Sequence, residues 1–120
     1  MRRGDLVTVA APGDYGKPRP AVIVQADALT AGDLSSVVLC LISSQPVNAP
    51  TFRITVEPNA GNGLRERSQL MVDKLLTVPR ARLGPVIGRL DEETLLRLNR
   101  TLAFVVGLAE IGRASCRERV

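Results

Sequence analysis

The sequence predicts a mainly β protein with a C-terminal helix: a small, partly open β-barrel of short strands with that helix packed on it. Three observations carry this expectation. Short apolar runs recur at close spacing along most of the chain, clusters of glycine, proline and asparagine separate them, and helical periodicity appears once, after Asp91. No internal repeat or low-complexity segment interrupts the pattern.

Leu6 to Ala11 is apolar apart from Thr8 and runs into the turn cluster Pro12-Gly13-Asp14-Tyr15-Gly16, so it reads as the first strand. Ala21 to Gln25 is the second, and its four successive apolar residues indicate burial on both faces. Pro18 and Pro20 fix the backbone just before it and bias Arg19 toward an extended conformation. A permanently charged guanidinium is thereby presented at the mouth of a buried strand, a good arrangement for holding a phosphate. Ala26 to Ser35, with Gly32 and Asp33, reads as a loop, and the apolar Ser36 to Ser44 as a central third strand. After a loop at Gln45 to Pro50, Phe52 to Glu57 alternates as a half-exposed strand, and Pro58 to Gly63 is a turn. Ser68 to Val72 is the fifth strand, with Leu75 to Val78 following it. Arg80 to Leu83 fits a single helical turn, and Val86-Ile87 a short closing strand.

Asp91 suits the N-cap of the last element, with Glu92 and Glu93 at the positive end of the helix dipole. Leu95, Leu98, Leu102, Val105 and Val106 follow helical spacing and form the core-facing stripe. Glu93, Arg97 and Arg100 lie opposite, and Phe104 falls toward that polar side as an exposed aromatic.

A chain of 120 residues with 45% hydrophobic content can bury one core, which points to one domain. No apolar run approaches a membrane span, and the N-terminus lacks the pattern of a signal peptide, so a cytoplasmic location is expected. Cys40 lies within an apolar run as a structural thiol, and Cys116 lies near the end. With no histidine and no Cys-x-x-Cys spacing, neither a zinc site nor any other cofactor is expected. From Ile111 the sequence breaks both periodicity and composition and matches the translation of a sequencing-adapter read-through. The domain is therefore expected over 1–109, with 110–120 a non-native tail. Residues 111–120 hold three arginines and one glutamate, so the net charge of +4 falls to +2 over 1–110. Such mild basicity permits RNA binding without arguing for it.

Arg3-Gly4-Asp5-Leu6, Arg19-Pro20-Ala21-Val22-Ile23-Val24, Leu41-Ile42-Ser43-Ser44, Asp73-Lys74-Leu75-Leu76-Thr77-Val78 and Ile87-Gly88-Arg89-Leu90 occur in the order seen in MazF/PemK-family toxins. The chain resembles that family over about residues 2–109. The resemblance implies an SH3-like small β-barrel (MazF/CcdB-like), a homodimer, and a metal-independent endoribonuclease acting on single-stranded RNA. It also implies a toxin–antitoxin setting with a cognate antitoxin blocking the RNA groove. Within it, Arg19 occupies the place of the catalytic arginine, and Ser43 that of its hydroxyl partner, more often threonine. Asp73 and Lys74 open a segment whose family glutamine and arginine are both changed here. Met71 stands where some members carry a basic residue.

Metal-independent RNA cleavage by attack of a 2′-OH needs a proton acceptor, a donor to the leaving oxygen, and positive charge on the phosphorane. Without histidine, no pair of imidazoles can share the proton work. Arg19 suits charge stabilisation, Ser43 can orient the phosphate or the 2′-OH, and Asp73 is the candidate base or the residue orienting Arg19. Lys17, Arg53, Arg65, Arg67 and Lys74 are candidates to track phosphates, and Tyr15 to stack a base. The segment Leu64-Arg65-Glu66-Arg67, like most such charge runs, reads first as a solvated loop. The alternative to an enzyme is a non-catalytic module that binds a protein partner, as gyrase-poisoning relatives do, or a degenerate member of the family.

Overall fold

In the computed structural model, which describes residues 1–10 and 17–109, the apolar runs become six antiparallel strands. They are β1 (Asp5–Val9), β2 (Arg19–Ile23), β3 (Ser36–Ser43), β4 (Arg53–Val56), β5 (Ser68–Pro79) and β6 (Leu83–Arg89). A short helix α1 (Asp27–Thr30) follows β2, a 3₁₀ turn (Arg80–Arg82) precedes β6, and α2 (Glu92–Val105) closes the described chain. The spatial order is β4-β5-β3-β2-β1-β6, which puts β3 and β2 at the centre and leaves β4 and β6 as edges. This is the expected mainly β fold with a C-terminal helix.

Alternation along the central strands divides the core in two. Leu6, Val22, Cys40 and Ile42 join Ile54, Leu70 and Leu98 in one buried cluster, while Val7, Val9, Ala21, Ile23, Val37 and Leu39 join Val78 in the other. Helix α2 closes the first cluster, with Leu98 fully buried and Leu95, Leu102 and Val105 packed beside it. The Asp91 carboxylate caps α2, accepting from the Thr94 amide at 2.7 Å, and this bond holds its pKa below the usual carboxylate range. Val106 lies past the helix end and is exposed rather than part of the stripe. Phe104 is half-buried, not exposed as expected.

The remaining departures from expectation have local causes. Strand β2 begins at Arg19, so the proline pair is not merely a lead-in. Pro20 is tolerated because β3 pairs with β2 only from Ala21 onward, and no β3 bond is lost at the missing N–H. Helix α1 occupies part of the expected 26–35 loop. Arg80 ties that loop down, donating through Nη2 to the carbonyls of Thr30 (2.7 Å) and Leu34 (2.9 Å). The two expected pieces at 68–78 are one continuous strand. Along it Ile42 pairs with Leu70 and Cys40 with Leu75, so two steps of β3 span five of β5, a bulge that bends the strand at residues 71–74.

The Arg3-Gly4-Asp5 opening is structural. Gly4 takes φ +93° and donates to the Ile23 carbonyl at 2.8 Å. Asp5 pairs with Arg89 at 2.8 Å, and Arg3 reaches Asn99 of α2 at 2.6 Å and the Val24 carbonyl at 2.9 Å. Cys40 is fully buried, and burial first of all pushes its thiol up to about 12, so it is a packing residue. Cys116 and residues 110–120 lie outside the described residues. Among the described residues, no helix is long and apolar enough to cross a membrane.

Candidate active site

The β2–β3 register explains why two distant sequence positions meet. Ala21 pairs with Leu41, and Arg19 and Ser43 each lie two residues beyond that pair on their own strands. Both line one cleft of about 690 Å³, together with Thr8, Pro18, Pro20, Ile42, Ser44, Gln45, Leu64, Arg65 and Glu66. The structure thus brings the two expected site residues, Arg19 and Ser43, to one cleft. The Ser43 hydroxyl accepts from the Gln45 amide at 3.0 Å and approaches the Gln45 carbonyl at 3.4 Å, which holds its oxygen in a fixed direction at the strand end.

Two loops complete the cleft, each held by a buried amide side chain. Gln69 on β5 accepts from the Val47 amide and donates to the Val47 carbonyl, both at 2.9 Å, so the segment after β3 that carries Gln45 is clamped from both sides. Asn62, 2% exposed, organises the turn before β5. Its Oδ1 accepts from the amides of Asn59 (3.1 Å) and Leu64 (2.9 Å), and its Nδ2 donates to the Glu57 carbonyl at 2.9 Å. The next residue, Gly63, has φ +71°, and a Cβ there would lie 2.1 Å from the Ile87 carbonyl oxygen. Only glycine permits this approach of turn to β6, and it sets Leu64, Arg65 and Glu66 as one wall of the cleft.

Asp73 and Lys74, expected beside Arg19, are placed elsewhere by the β5 bulge and do not line the cleft. Asp73 accepts two bonds from Arg53, at 2.8 Å from Nε and 3.3 Å from Nη2. That forked partner holds its carboxyl below the usual range. Arg53 is thus committed to Asp73, and it also lies 5.8 Å from the centre of the Phe52 ring. Arg67 pairs with Glu57 at 3.0 Å on the exposed surface. Of the expected phosphate-tracking residues Arg65 lines the cleft, while Lys17 is exposed just before Pro18 at its edge. Tyr15 lies outside the described residues.

Sequence reasoning missed Gln45 and Glu66 as cleft residues. Glu66 sits in a charge run that looked like a solvated loop, and the Asn-Gly pair Asn62-Gly63 just before it was the signal that this loop is built rather than loose. Among the described residues, no group of three or more histidine, cysteine, aspartate or glutamate side chains could hold a metal ion. The cleft offers cations from Arg19 and Arg65, hydroxyls from Thr8, Ser43, Ser44 and Ser68, and one carboxylate from Glu66. That set can bind a phosphodiester and leaves one group to accept a proton.

A family model described as PemK-like, MazF-like toxin of type II toxin–antitoxin system matches residues 2–106. A protein named probable endoribonuclease MazF, from Mycolicibacterium smegmatis, is 44% identical over 110 residues, covering 91% of this chain and 99% of the relative. A mycobacterial endoribonuclease solved in complex with its cognate antitoxin superposes with a TM-score of 0.77 at 21% identity, covering 92% of this chain and 98% of that one. The Mycobacterium tuberculosis toxin MazF-mt6 gives a TM-score of 0.75 at 23% identity, covering 88% and 99%. The MazF of a MazE–MazF structure from Deinococcus radiodurans gives 0.73 at 18% identity, covering 91% and 97%. These structural likenesses bear on the fold.

Proposed function

The chain belongs to the PemK-like, MazF-like family of type II toxins, and on that premise we propose that it is the endoribonuclease toxin of a toxin–antitoxin pair, cutting single-stranded RNA without a metal. The observation that carries the reading is the meeting of Arg19 and Ser43 in one cleft lined by cations and hydroxyls. The name of the 44% identical relative supports the activity.

In the proposed reaction the 2′-OH attacks the adjacent phosphorus, giving a 2′,3′-cyclic phosphate on one fragment and a 5′-OH on the other. Arg19 faces the two non-bridging oxygens as their charge grows, and its planar fork matches them better than an ammonium would. Ser43 orients the phosphate through its hydroxyl. Arg65 and Lys17 continue the positive track along the strand. Arg53 and Arg67 contribute only by giving up Asp73 and Glu57, and Asp73 and Lys74 act outside the cleft. The toxin works in the cytoplasm as a homodimer, and the cognate antitoxin silences it by covering the same cleft.

The test is a single-stranded RNA pool incubated with purified protein in EDTA. The wild type cuts it, and Arg19→Ala abolishes cutting while its circular dichroism and melting temperature stay unchanged. Unchanged cleavage by the variant sinks the mechanism. A wild type that leaves RNA intact sinks the activity.

A further inference from the structure

We propose that Glu66 is the general base of the cleavage reaction, taking the proton from the attacking 2′-OH. The inference rests on the endoribonuclease reading above and goes beyond it, because that reading leaves the proton acceptor unassigned. Arginine remains protonated at neutral pH and cannot accept a proton, and the chain has no histidine. The carboxylate expected for the task, Asp73, is held by Arg53 outside the cleft. Asp5 is held by Arg89, Glu57 by Arg67, and Asp91 caps α2. Among the described residues, Glu66 is the carboxylate that lines the cleft.

Its backbone is anchored for the role. The Ser68 hydroxyl donates to the Glu66 carbonyl at 2.8 Å, and the Asn62 amide fixes the turn at Leu64 two residues earlier. The Glu66 backbone is thereby fixed on the wall that shares the cleft with Arg19 and Ser43. The charged groups that share the cleft with Glu66 are Arg19 from β2 and Arg65 from its own segment. The residues that line the cleft from β1, β3 and β6, among them Thr8, Ser43 and Ile87, are uncharged. In the step, Glu66 receives the 2′-OH proton as the 2′-oxygen bonds to phosphorus. The P–O5′ bond breaks, and the departing oxygen takes a proton from water. Arg19 keeps its proton throughout.

The experiment compares kcat and KM of wild type, Glu66→Gln and Glu66→Asp across pH, with binding measured on an RNA bearing 2′-deoxyribose at the cleaved position. Glutamine keeps size and hydrogen bonding but cannot take the proton. Glu66→Gln should lower kcat by about 10²–10⁴-fold and remove the acid limb of the pH–rate profile, with deoxy-RNA binding equal or tighter. Glu66→Asp should restore part of the rate and keep the acid limb. The inference is overturned if Glu66→Gln cuts within threefold of wild type. It is equally overturned if the rate falls with an unaltered pH profile, or if only the cleaved sequence changes. A wild type that does not cut overturns the activity itself, so the two failures are distinguishable.

Discussion

Replacing Asn62 by alanine tests whether the turn before β5 is part of the active site or only part of the fold. The variant removes both amide acceptances at Oδ1 and the donation to Glu57, three hydrogen bonds around a side chain that is 2% exposed. At about 1 kcal/mol net for each bond, the loss is about 3 kcal/mol. For a chain of this size that lowers the melting temperature by roughly 10–15 °C. The measurement is thermal and urea unfolding, with the urea slope unchanged because the folded and unfolded surfaces stay the same. Assayed well below its melting point, the variant should also cut RNA about tenfold more slowly, since a 1 Å displacement of a positioned group costs up to roughly 10²-fold. A melting shift under 3 °C would refute the energetic account. A full shift with undiminished cleavage would refute the claim that this wall belongs to the site.

The Arg53–Asp73 pair, with 11% and 31% side-chain exposure, is structural in this reading. Asp73→Asn should lower stability by about 1 kcal/mol and leave cleavage within twofold; a hundredfold loss of activity would restore Asp73 as the catalytic base. Asp91 and Asp73 both have lowered folded-state pKa values, so their stabilisation is complete above the unfolded value near 3.8 and is lost as pH falls through the lower folded values. Asp91→Ala should therefore cost about 1 kcal/mol at pH 6 and progressively less below pH 3.8, read from melting curves across that range; a constant difference would exclude a charge-dependent cap.

The sequence made the strands and the last helix legible because their apolar periodicity is strong and Asp91 marks a clear start. Arg19 was legible from the proline pair beside an apolar strand, while Ser43 entered as its partner through the family resemblance, and the simple β2–β3 register accounts for their meeting. Asp73 was misplaced because a β-bulge leaves no periodic mark. Two steps of β3 against five of β5 shift every later residue, and nothing in Met71-Val72-Asp73-Lys74 announces it. Glu66 was overlooked for the opposite reason. A charged tetrad looks solvated until the hydrogen bonds of Asn62 and the φ of Gly63 fold it over the cleft.

Apolar side chains on both faces of β1, β2 and β3 have a consequence for how the chain finds its pairing. A strand that is polar on one side penalises a one-residue slip by exposing its whole apolar set, whereas these strands would still bury theirs after slipping. Hydrophobic burial thus draws the three strands together without choosing among alignments. The choice falls to groups near the strand ends: Asp5 meeting Arg89 across β1 and β6, Gln25 accepting from the Val38 amide at 3.3 Å, and Pro20, whose missing N–H fits opposite Thr8. These residues act as alignment marks, and disabling one should give refolding into misaligned species more than a weaker native state.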